Sequence, residues 1–151
     1  MSKIIVSDTS CLILLDKLNL LHLLYDLFGD ILITSEIEKE FGTKLPSWIK
    51  TLKVKDTAYQ KVLESNIDKG EASAIALALE MDNCLLIIDD NKARKLARHL
   101  ELTYIGTLGL LVEAKEAGLI SLVKPILNQI KNTNFRITEN LEKRVLELAG
   151  A

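Results

Sequence analysis

Short apolar segments that end in polar residues constrain the fold of this chain more than any other feature. Residues 4–6 (IIV), 30–34 (DILIT) and 84–88 (CLLII) are rich in branched aliphatic side chains and are too short for helices. Helical patterns separate them. Strands that are apolar throughout and alternate with helices predict a parallel sheet whose two faces are both covered. The chain is therefore predicted to be an α/β protein with a mainly parallel sheet.

The rest of the pattern predicts further strands and helices. A helix is predicted to begin at Ser35, with Glu38 completing a capping box of the S-x-x-E type. Short strands are predicted at residues 52–54, at the edge of the sheet, and at 103–105. The other predicted helices are two within residues 10–28 (broken near Asn19), and one each at 57–65, 71–80, 91–100, 107–117, 120–131 and 138–149.

Composition narrows the class of protein. The 151 residues suit a single domain, residues 1–151, and the 48% apolar content excludes a disordered chain. No apolar run approaches the roughly 20 residues of a membrane span, and no signal peptide is apparent. Cys11 and Cys84 both lie in apolar runs, so buried thiols in a reducing, cytoplasmic compartment are expected. The balanced charge excludes a strongly basic nucleic-acid coat but not a nucleic-acid enzyme.

Two of the predicted strands lead into carboxylates. Asp8 comes just after residues 4–6, and the pair Asp89-Asp90 closes residues 84–88. Ligands of parallel sheets bind beyond the carboxyl ends of the strands, which makes these acids candidates for a site. Aspartate is also a common N-cap, and either acid could simply begin the next helix. Adjacent carboxylates at a buried strand end repel each other unless a cation or hydrogen-bond donors compensate.

Glu71 begins a helix that is small or apolar nearly all round, residues 71–80, which predicts a buried helix. Its early charged residue must therefore face a cleft or cap its own helix end. A specific pattern supports the capping interpretation, because Asp68 and Glu71 have the spacing of an acidic capping box. Both interpretations stay open.

The helix after residues 30–34 carries three glutamates. Ile37 and Phe41 define its buried stripe, and Glu40 lies at the edge of that stripe. Glu38 lies on the far side and is the solvated or capping acid. Glu40 is therefore the better candidate for a site.

Clustered carboxylates without a histidine partner suit a hard cation such as Mg²⁺ or Mn²⁺. A metal held in this way can activate a water and stabilise charge on a phosphodiester. A zinc site and a Ser-His-Asp triad are both disfavoured, because His22 and His99 are the only histidines. No Walker A or G-x-G-x-x-G sequence is present.

The helix predicted at 91–100 separates apolar from basic side chains. Its basic arc either is a solvated face or contacts a phosphate. Arg94 is the favoured phosphate contact, ahead of Lys92, because a guanidinium can bind a phosphate through two hydrogen bonds. Without Asp8, Glu40, Glu71, Asp89 and Asp90, 16 acids remain against 19 bases, so an acidic pocket is expected in a mildly basic body.

Five segments together resemble the PIN-domain nucleases, and more narrowly a prokaryotic PIN-like subgroup related to VapC toxins. They are IIVSDTSCLI, DKGEASAIALALE, LLIIDDNKARKLA, IGTLGLLVEAKEAGLI and FRITENLEKRVLELAG. The resemblance implies a three-layer α/β/α sandwich and a Mg²⁺- or Mn²⁺-dependent ribonuclease that leaves a 5′-phosphate and a 3′-hydroxyl.

The resemblance also implies site residues and partners. By motif, the catalytic acids would be Asp8, Glu40, Glu71 and Asp89, with Asp90 sharing or replacing the role of Asp89. The metal ligands would be Asp8, Glu71 and Asp89, and Thr9 or Ser10 matches the small hydroxyl position beside the first aspartate. The predicted substrate contacts are these two hydroxyls together with Arg94 of the basic helix. Many PIN proteins are dimeric toxins paired with an antitoxin, so a homodimer and an antitoxin partner are expectations.

The alternative function is that of a catalytically weak regulatory or protein-interaction domain that keeps the fold. A haloacid-dehalogenase-like phosphatase fits less well, because Ser10 stands where that enzyme needs an aspartate. A receiver domain fits less well, because no clear lysine stands at the end of the 103–105 strand.

Overall fold

The computed structural model describes residues 3–150, so the ends of the predicted domain, residues 1, 2 and 151, lie outside the described residues. The described residues form a five-stranded, all-parallel sheet in the order β3-β2-β1-β4-β5. The strands are β1 (Ile4–Ser7), β2 (Ile31–Thr34), β3 (Ile49–Leu52), β4 (Cys84–Ile87) and β5 (Thr103–Ile105).

Helices connect the strands and follow the last one. They are α1 (Thr9–Lys17), α2 (His22–Phe28), α3 (Ser35–Phe41), α4 (Thr57–Leu63), α5 (Lys69–Leu79), α6 (Asn91–His99), α7 (Thr107–Glu116), α8 (Lys124–Lys131) and α9 (Glu139–Leu148). None of the helices within residues 3–150 combines the length and the apolar character needed to cross a membrane.

The central strand shows that both faces of the sheet are covered. Ile5 and Val6 are neighbours on β1, so their side chains point to opposite faces, and both are buried. Val6 pairs with Leu32 on one side and with Leu86 on the other. The predicted α/β/α sandwich around a parallel sheet is confirmed.

The order of the strands creates a crevice beside β1. The chain runs outward from β1 through β2 to β3, then returns to β4 on the other side of β1. At such a switch point the connections leave in opposite directions, and a crevice opens beyond the carboxyl ends of the two central strands. Asp8 follows β1 and Asp89 follows β4, after Ile88. The two acids therefore lie at the crevice, as the sequence predicted.

The predicted capping box of α3 is wrong. Thr34 caps the helix instead, with its hydroxyl accepting a 3.2 Å hydrogen bond from the Ile37 N–H, while the Glu38 carboxylate accepts from the Thr51 hydroxyl. Thr34 also donates to the Ser73 hydroxyl at 2.6 Å, since Ser73 donates to the Gly70 carbonyl. These buried hydroxyls tie β2 and α3 to α5.

Two predicted boundaries are also shifted. The edge strand predicted at 52–54 is β3, Ile49–Leu52, and it pairs along its length with β2. The helix predicted to begin at residue 120 begins at Lys124, with Pro125 in its first turn. Proline has no N–H to donate and a fixed φ, so it favours the start of a helix over its interior.

The buried helix predicted around Glu71 is confirmed. Every residue of α5 from Ala72 to Ala78 is buried, between α3, α4 and the sheet. A second apolar cluster joins α1 and α2 to the three C-terminal helices through residues such as Leu14, Leu111 and Leu127. The sheet is thus packed against α5, while the C-terminal helices pack on the helices that follow β1.

Candidate active site

Asp8 is a buried carboxylate at the carboxyl end of β1, with 2% of its surface exposed. Its Oδ1 accepts a 3.0 Å hydrogen bond from the Cys11 N–H and so caps α1. Its Oδ2 accepts a 3.1 Å hydrogen bond from the Asp89 N–H, which belongs to the segment after β4. The interpretation of Asp8 as an N-cap is therefore confirmed. Its second oxygen also links β1 to the backbone of Asp89.

Asp89 is held by Thr107, a residue that was not predicted from the sequence. The Thr107 N–H donates to Asp89 Oδ1 at 2.8 Å, and its hydroxyl donates to Oδ2 at 2.5 Å. Thr107 begins α7 directly after Gly106, and it is fully buried. The available signal was a small hydroxyl residue directly after Gly106, the glycine that follows the 103–105 strand.

The charge of Asp89 disfavours the charged form of Asp8. Burial raises the pKa of Asp8 well above its ordinary value, and the nearby Asp89 charge raises it further, against the two backbone donors that lower it. Burial also raises the pKa of Asp89, while Thr107 and then Arg94 lower it. A divalent cation beside the pair would favour both charged forms.

Arg94 is the basic side chain associated with Asp89. Its guanidinium carbon lies 5.1 Å from the centre of the Tyr104 ring. A Cβ added to Gly106 would lie 3.0 Å from Asp89 Oδ1 and 3.7 Å from the Arg94 guanidinium, so the two groups flank the glycine. Arg94 is not among the residues that line the cleft described below. Its predicted phosphate contact stays a prediction.

Glu40 reaches the site from α3. The Thr9 hydroxyl donates to its Oε1 at 2.5 Å, which connects the start of α1 to the end of α3. The same carboxylate lies over Gly70, where a Cβ would overlap it. Gly70 therefore leaves the space that Glu40 occupies. Glu38, on the other face of α3, points to Thr51 and does not belong to the site.

Glu71 lies in the first turn of α5 and is partly buried. Burial first, and then the charges of Asp90, Asp68 and Glu40, raise its pKa from 4.5 to about 7, while the Asp68 N–H lowers it. Asp68 is the N-cap residue of α5 but makes no capping bond with its side chain. The capping box predicted for this pair is thus incomplete, and the Glu71 carboxylate faces other acids.

Acidic side chains line an open cleft of about 460 Å³ at the carboxyl edge of the sheet. Its lining residues are Thr9, Ser10, Glu40, Asp68, Glu71, Asp89, Asp90, Asn91, Asn134, Phe135 and Arg136. Asp8 lies behind this surface, beneath Asp89. Asp90 has two roles, because its Oδ2 also accepts a 3.0 Å hydrogen bond from the Ala93 N–H and caps α6.

The wall of the cleft formed by the α8–α9 connection was not predicted from the sequence. Asn134, Phe135 and Arg136 come from a segment more than 40 residues beyond Asp90 in the chain. Only packing of the C-terminal helices on α1 and α2 brings them to the site. The adjacent aromatic and basic side chains of Phe135 and Arg136 were the available signal.

The donor set fits a hard divalent cation by its chemistry. The available ligand atoms are carboxylate oxygens, and burial first and then the neighbouring negative charges raise the pKa of Asp8 and Glu71. Within residues 3–150, no three acidic, histidine or cysteine side chains converge closely enough to hold a metal by themselves. The predicted set of Asp8, Glu71 and Asp89 is therefore not closed in this conformation. Mg²⁺ commonly uses one or two carboxylates and keeps several waters, which this arrangement allows.

Comparison with known proteins decides the family. A family model described as a PIN domain, DUF3368, matches residues 4–151. The chain belongs to the DUF3368 family of PIN domains. No curated protein and no solved structure matched the chain. PIN domains are generally nucleases, and the acidic cleft of this PIN domain occupies the crevice at the carboxyl ends of β1 and β4.

Gly70→Ala tests the position of Glu40 in this PIN domain. Alanine favours a helix by about 1 kcal/mol over glycine, and the end of the Glu40 side chain can move away. We expect a melting temperature equal to or above that of the wild type. Nuclease activity should fall about 10- to 100-fold, because Glu40 is displaced from the cleft.

Gly109→Ala is the matched control in α7, where an added Cβ meets the side chain of Ile105 and no acid. Thermal unfolding and single-turnover cleavage would be measured for both variants. Wild-type activity in folded Gly70→Ala would show that the position of Glu40 is unimportant.

Proposed function

We propose that this PIN domain is a Mg²⁺- or Mn²⁺-dependent endoribonuclease that hydrolyses single-stranded RNA. The observation that carries the proposal is the convergence of acids from α3, α5 and the segment after β4 on one open cleft of a PIN fold. Burial first, and then the charges of Asp90, Asp68 and Glu40, raise the pKa of Glu71, which is consistent with that convergence.

In this proposal Asp8, Glu71 and Asp89 hold the metal, directly or through water. The bound cation would activate the attacking water and offset the charge that develops on the phosphate. The water oxygen bonds to phosphorus, the bond from phosphorus to the 3′ oxygen breaks, and the 3′ oxygen takes up a proton. The products are a 5′-phosphate and a 3′-hydroxyl. The Glu71 carboxylate lines the cleft, where it can accept the proton that the water loses.

Other residues of the chain position these groups and the substrate. Thr107 holds both oxygens of Asp89, and Thr9 holds Glu40. The Ser10 side chain and the Arg136 guanidinium line the cleft, where they can contact a phosphate. Arg94 lies beside Asp89 and is proposed to contact the substrate phosphate when the strand is bound.

Cleavage of an end-labelled RNA oligonucleotide tests the proposal. We expect cleavage of single-stranded RNA with Mg²⁺ or Mn²⁺, none with EDTA, and a 5′-phosphate on the downstream product. A regulatory domain that keeps the fold without catalysis would leave the RNA intact with either metal. Cleavage that persists in EDTA, or products that carry a 3′-phosphate, would contradict the proposed chemistry.

The toxin role, the antitoxin partner and the homodimer implied by the resemblance stay predictions. Light scattering on the purified protein would determine the oligomeric state. A growth assay with the inactive Asp8→Asn variant as control would test toxicity, since a toxin that acts by cleaving RNA must lose toxicity with its nuclease activity.

A further inference from the structure

A second cavity lies beside α6, outside the acidic cleft. It is an open groove of about 790 Å³, bordered by one face of α6 and by the connection between α4 and α5. Ile67 and Leu96 provide apolar lining. Its charged lining is mostly basic, and we call this cavity the basic groove, after Lys92, Lys95, Arg98 and His99.

The basic side chains of the groove form a line along the helix. Lys92, Lys95 and His99 have the spacing i, i+3 and i+7, which places them on one stripe about 10 Å long. Arg98 lies at the edge of the stripe, where its Nε donates to the Tyr104 hydroxyl at 3.2 Å. The ion pair that the described residues form, Lys131 with Glu142, involves none of them. The positive charges of the groove are thus available to a ligand.

A third cavity makes the basic groove continuous with the acidic cleft. Its volume is about 460 Å³. It shares Asp68, Glu71, Asp90 and Asn91 with the acidic cleft, and it shares Asn66, Ile67 and Lys92 with the basic groove. A single depression therefore runs from the site of the acids along α6 to its basic face.

We propose that the basic groove binds the phosphodiester backbone of the RNA strand on one side of the bond to be cleaved. This inference rests on the proposed function and extends it to substrate length. The acids of the cleft repel phosphates, so Arg136 there is opposed and cations outside the cleft are expected to supply much of the affinity for RNA. Lysine contacts to phosphates supply affinity that does not depend on sequence. The groove is lined by no Phe, Tyr or Trp on which bases could stack, and the His99 imidazole is the one aromatic ring of its lining. It therefore holds the backbone, and the substrate spans several nucleotides.

Binding of RNA in EDTA tests the groove without requiring cleavage. The variant is Lys92→Gln/Lys95→Gln/Arg98→Gln, and the probe is a fluorescent 12-nucleotide single strand, with a trinucleotide for comparison. We expect the affinity of the wild type for the 12-mer to fall by about 10- to 100-fold in the variant at low salt. The slope of log affinity against log salt should decrease by about 2, since each phosphate contact contributes about 0.7 for single strands. The preference for the 12-mer over the trinucleotide should disappear.

Two control variants separate the location of the cations from their total charge. Lys124→Gln/Lys143→Gln/Arg144→Gln removes three exposed cations that line none of these cavities, and it should bind RNA as the wild type does. Lys92→Arg/Lys95→Arg keeps the charge of the groove and should keep the affinity.

Two results would overturn the inference. One is an unchanged affinity and salt slope in the folded triple variant, even where the protein cleaves RNA. The other is binding of a polyglutamate peptide in the groove in preference to RNA. Loss of RNA binding in the variant would support the groove even where no metal elicits cleavage, so the two proposals fail separately.

Discussion

Asp8→Asn is expected to lower the rate of RNA cleavage at least about 100-fold. The carboxylate uses both oxygens to accept backbone N–H donors, from Cys11 and from Asp89. Asparagine keeps one acceptor, and its amide NH₂ would face the second donor. The substitution therefore removes a negative charge from behind the cleft and also disturbs the backbone that positions Asp89. Single-turnover cleavage at saturating Mn²⁺ would measure the effect.

Asp16→Asn is the matched control, because Asp16 is an exposed aspartate on the same helix, α1. It should leave cleavage unchanged. Circular dichroism and thermal unfolding would show that both variants are folded. Equal cleavage rates for folded Asp8→Asn and the wild type would remove Asp8 from the active site.

Glu71→Gln is expected to stabilise the metal-free protein at pH 8 while it lowers cleavage. Folding raises the pKa of Glu71 from 4.5 to about 7, so the folded state disfavours the charged form. Below pH 4.5 both states are protonated and no penalty exists. As the pH rises towards 7, the unfolded state loses its proton first and folding loses stability. The penalty is complete above pH 7, and glutamine does not carry it.

The predicted gain in melting temperature for Glu71→Gln at pH 8 in EDTA is about 2–4 °C, for roughly 1 kcal/mol at this chain length. That energy is well below the full shift in pKa, because solvent screens a partly exposed group. The gain should shrink as the pH falls from 7 towards 4.5. Excess Mg²⁺ should stabilise the wild type more than the variant, because a bound ligand stabilises the folded state.

Glu113→Gln is a control on an exposed face of α7. It should show no comparable dependence on pH. A gain for Glu71→Gln that is the same at pH 5 and pH 8 would contradict the electrostatic account of the cleft.

The strands and the acids at their ends were predictable from the sequence, because both depend on local patterns. The apolar segments before Asp8 and Asp89 are each typical of a buried parallel strand. The switch-point rule then places their carboxyl ends at one edge of the sheet. The choice of Glu40 over Glu38 also followed from the buried stripe of α3. The structure places Glu40 in the cleft and directs Glu38 to Thr51.

What the sequence did not reveal depends on contacts between distant segments. Thr107 holds Asp89 across 18 residues, and the wall at Phe135 and Arg136 reaches the cleft through packing of the C-terminal helices. The wrong prediction of a capping box beginning at Ser35 also has its cause in a contact between distant segments. Thr34 is fixed at the end of β2 by the buried Ser73 hydroxyl, 39 residues away, and this contact is not visible in a local S-x-x-E pattern.

The arrangement of acids favours function over the stability of the metal-free chain. Asp8 is buried beside the partly buried Asp89, and burial and neighbouring charges raise the pKa of Glu71. A core designed for stability alone would avoid these groups, because buried charges are costly without a partner. In the proposed function the divalent cation is that partner.

Calorimetric titration of the protein with Mn²⁺, compared with cleavage over the same range of Mn²⁺ concentration, tests the central claim most directly. We predict saturable binding that is strongly weakened in Asp8→Asn and Glu71→Gln and unchanged in Asp16→Asn. We also predict that RNA cleavage rises with the same midpoint as binding. Binding that is unaffected by both site substitutions, or cleavage that is complete before Mn²⁺ binds, would contradict the claim that this acidic cleft is a metal-dependent nuclease site.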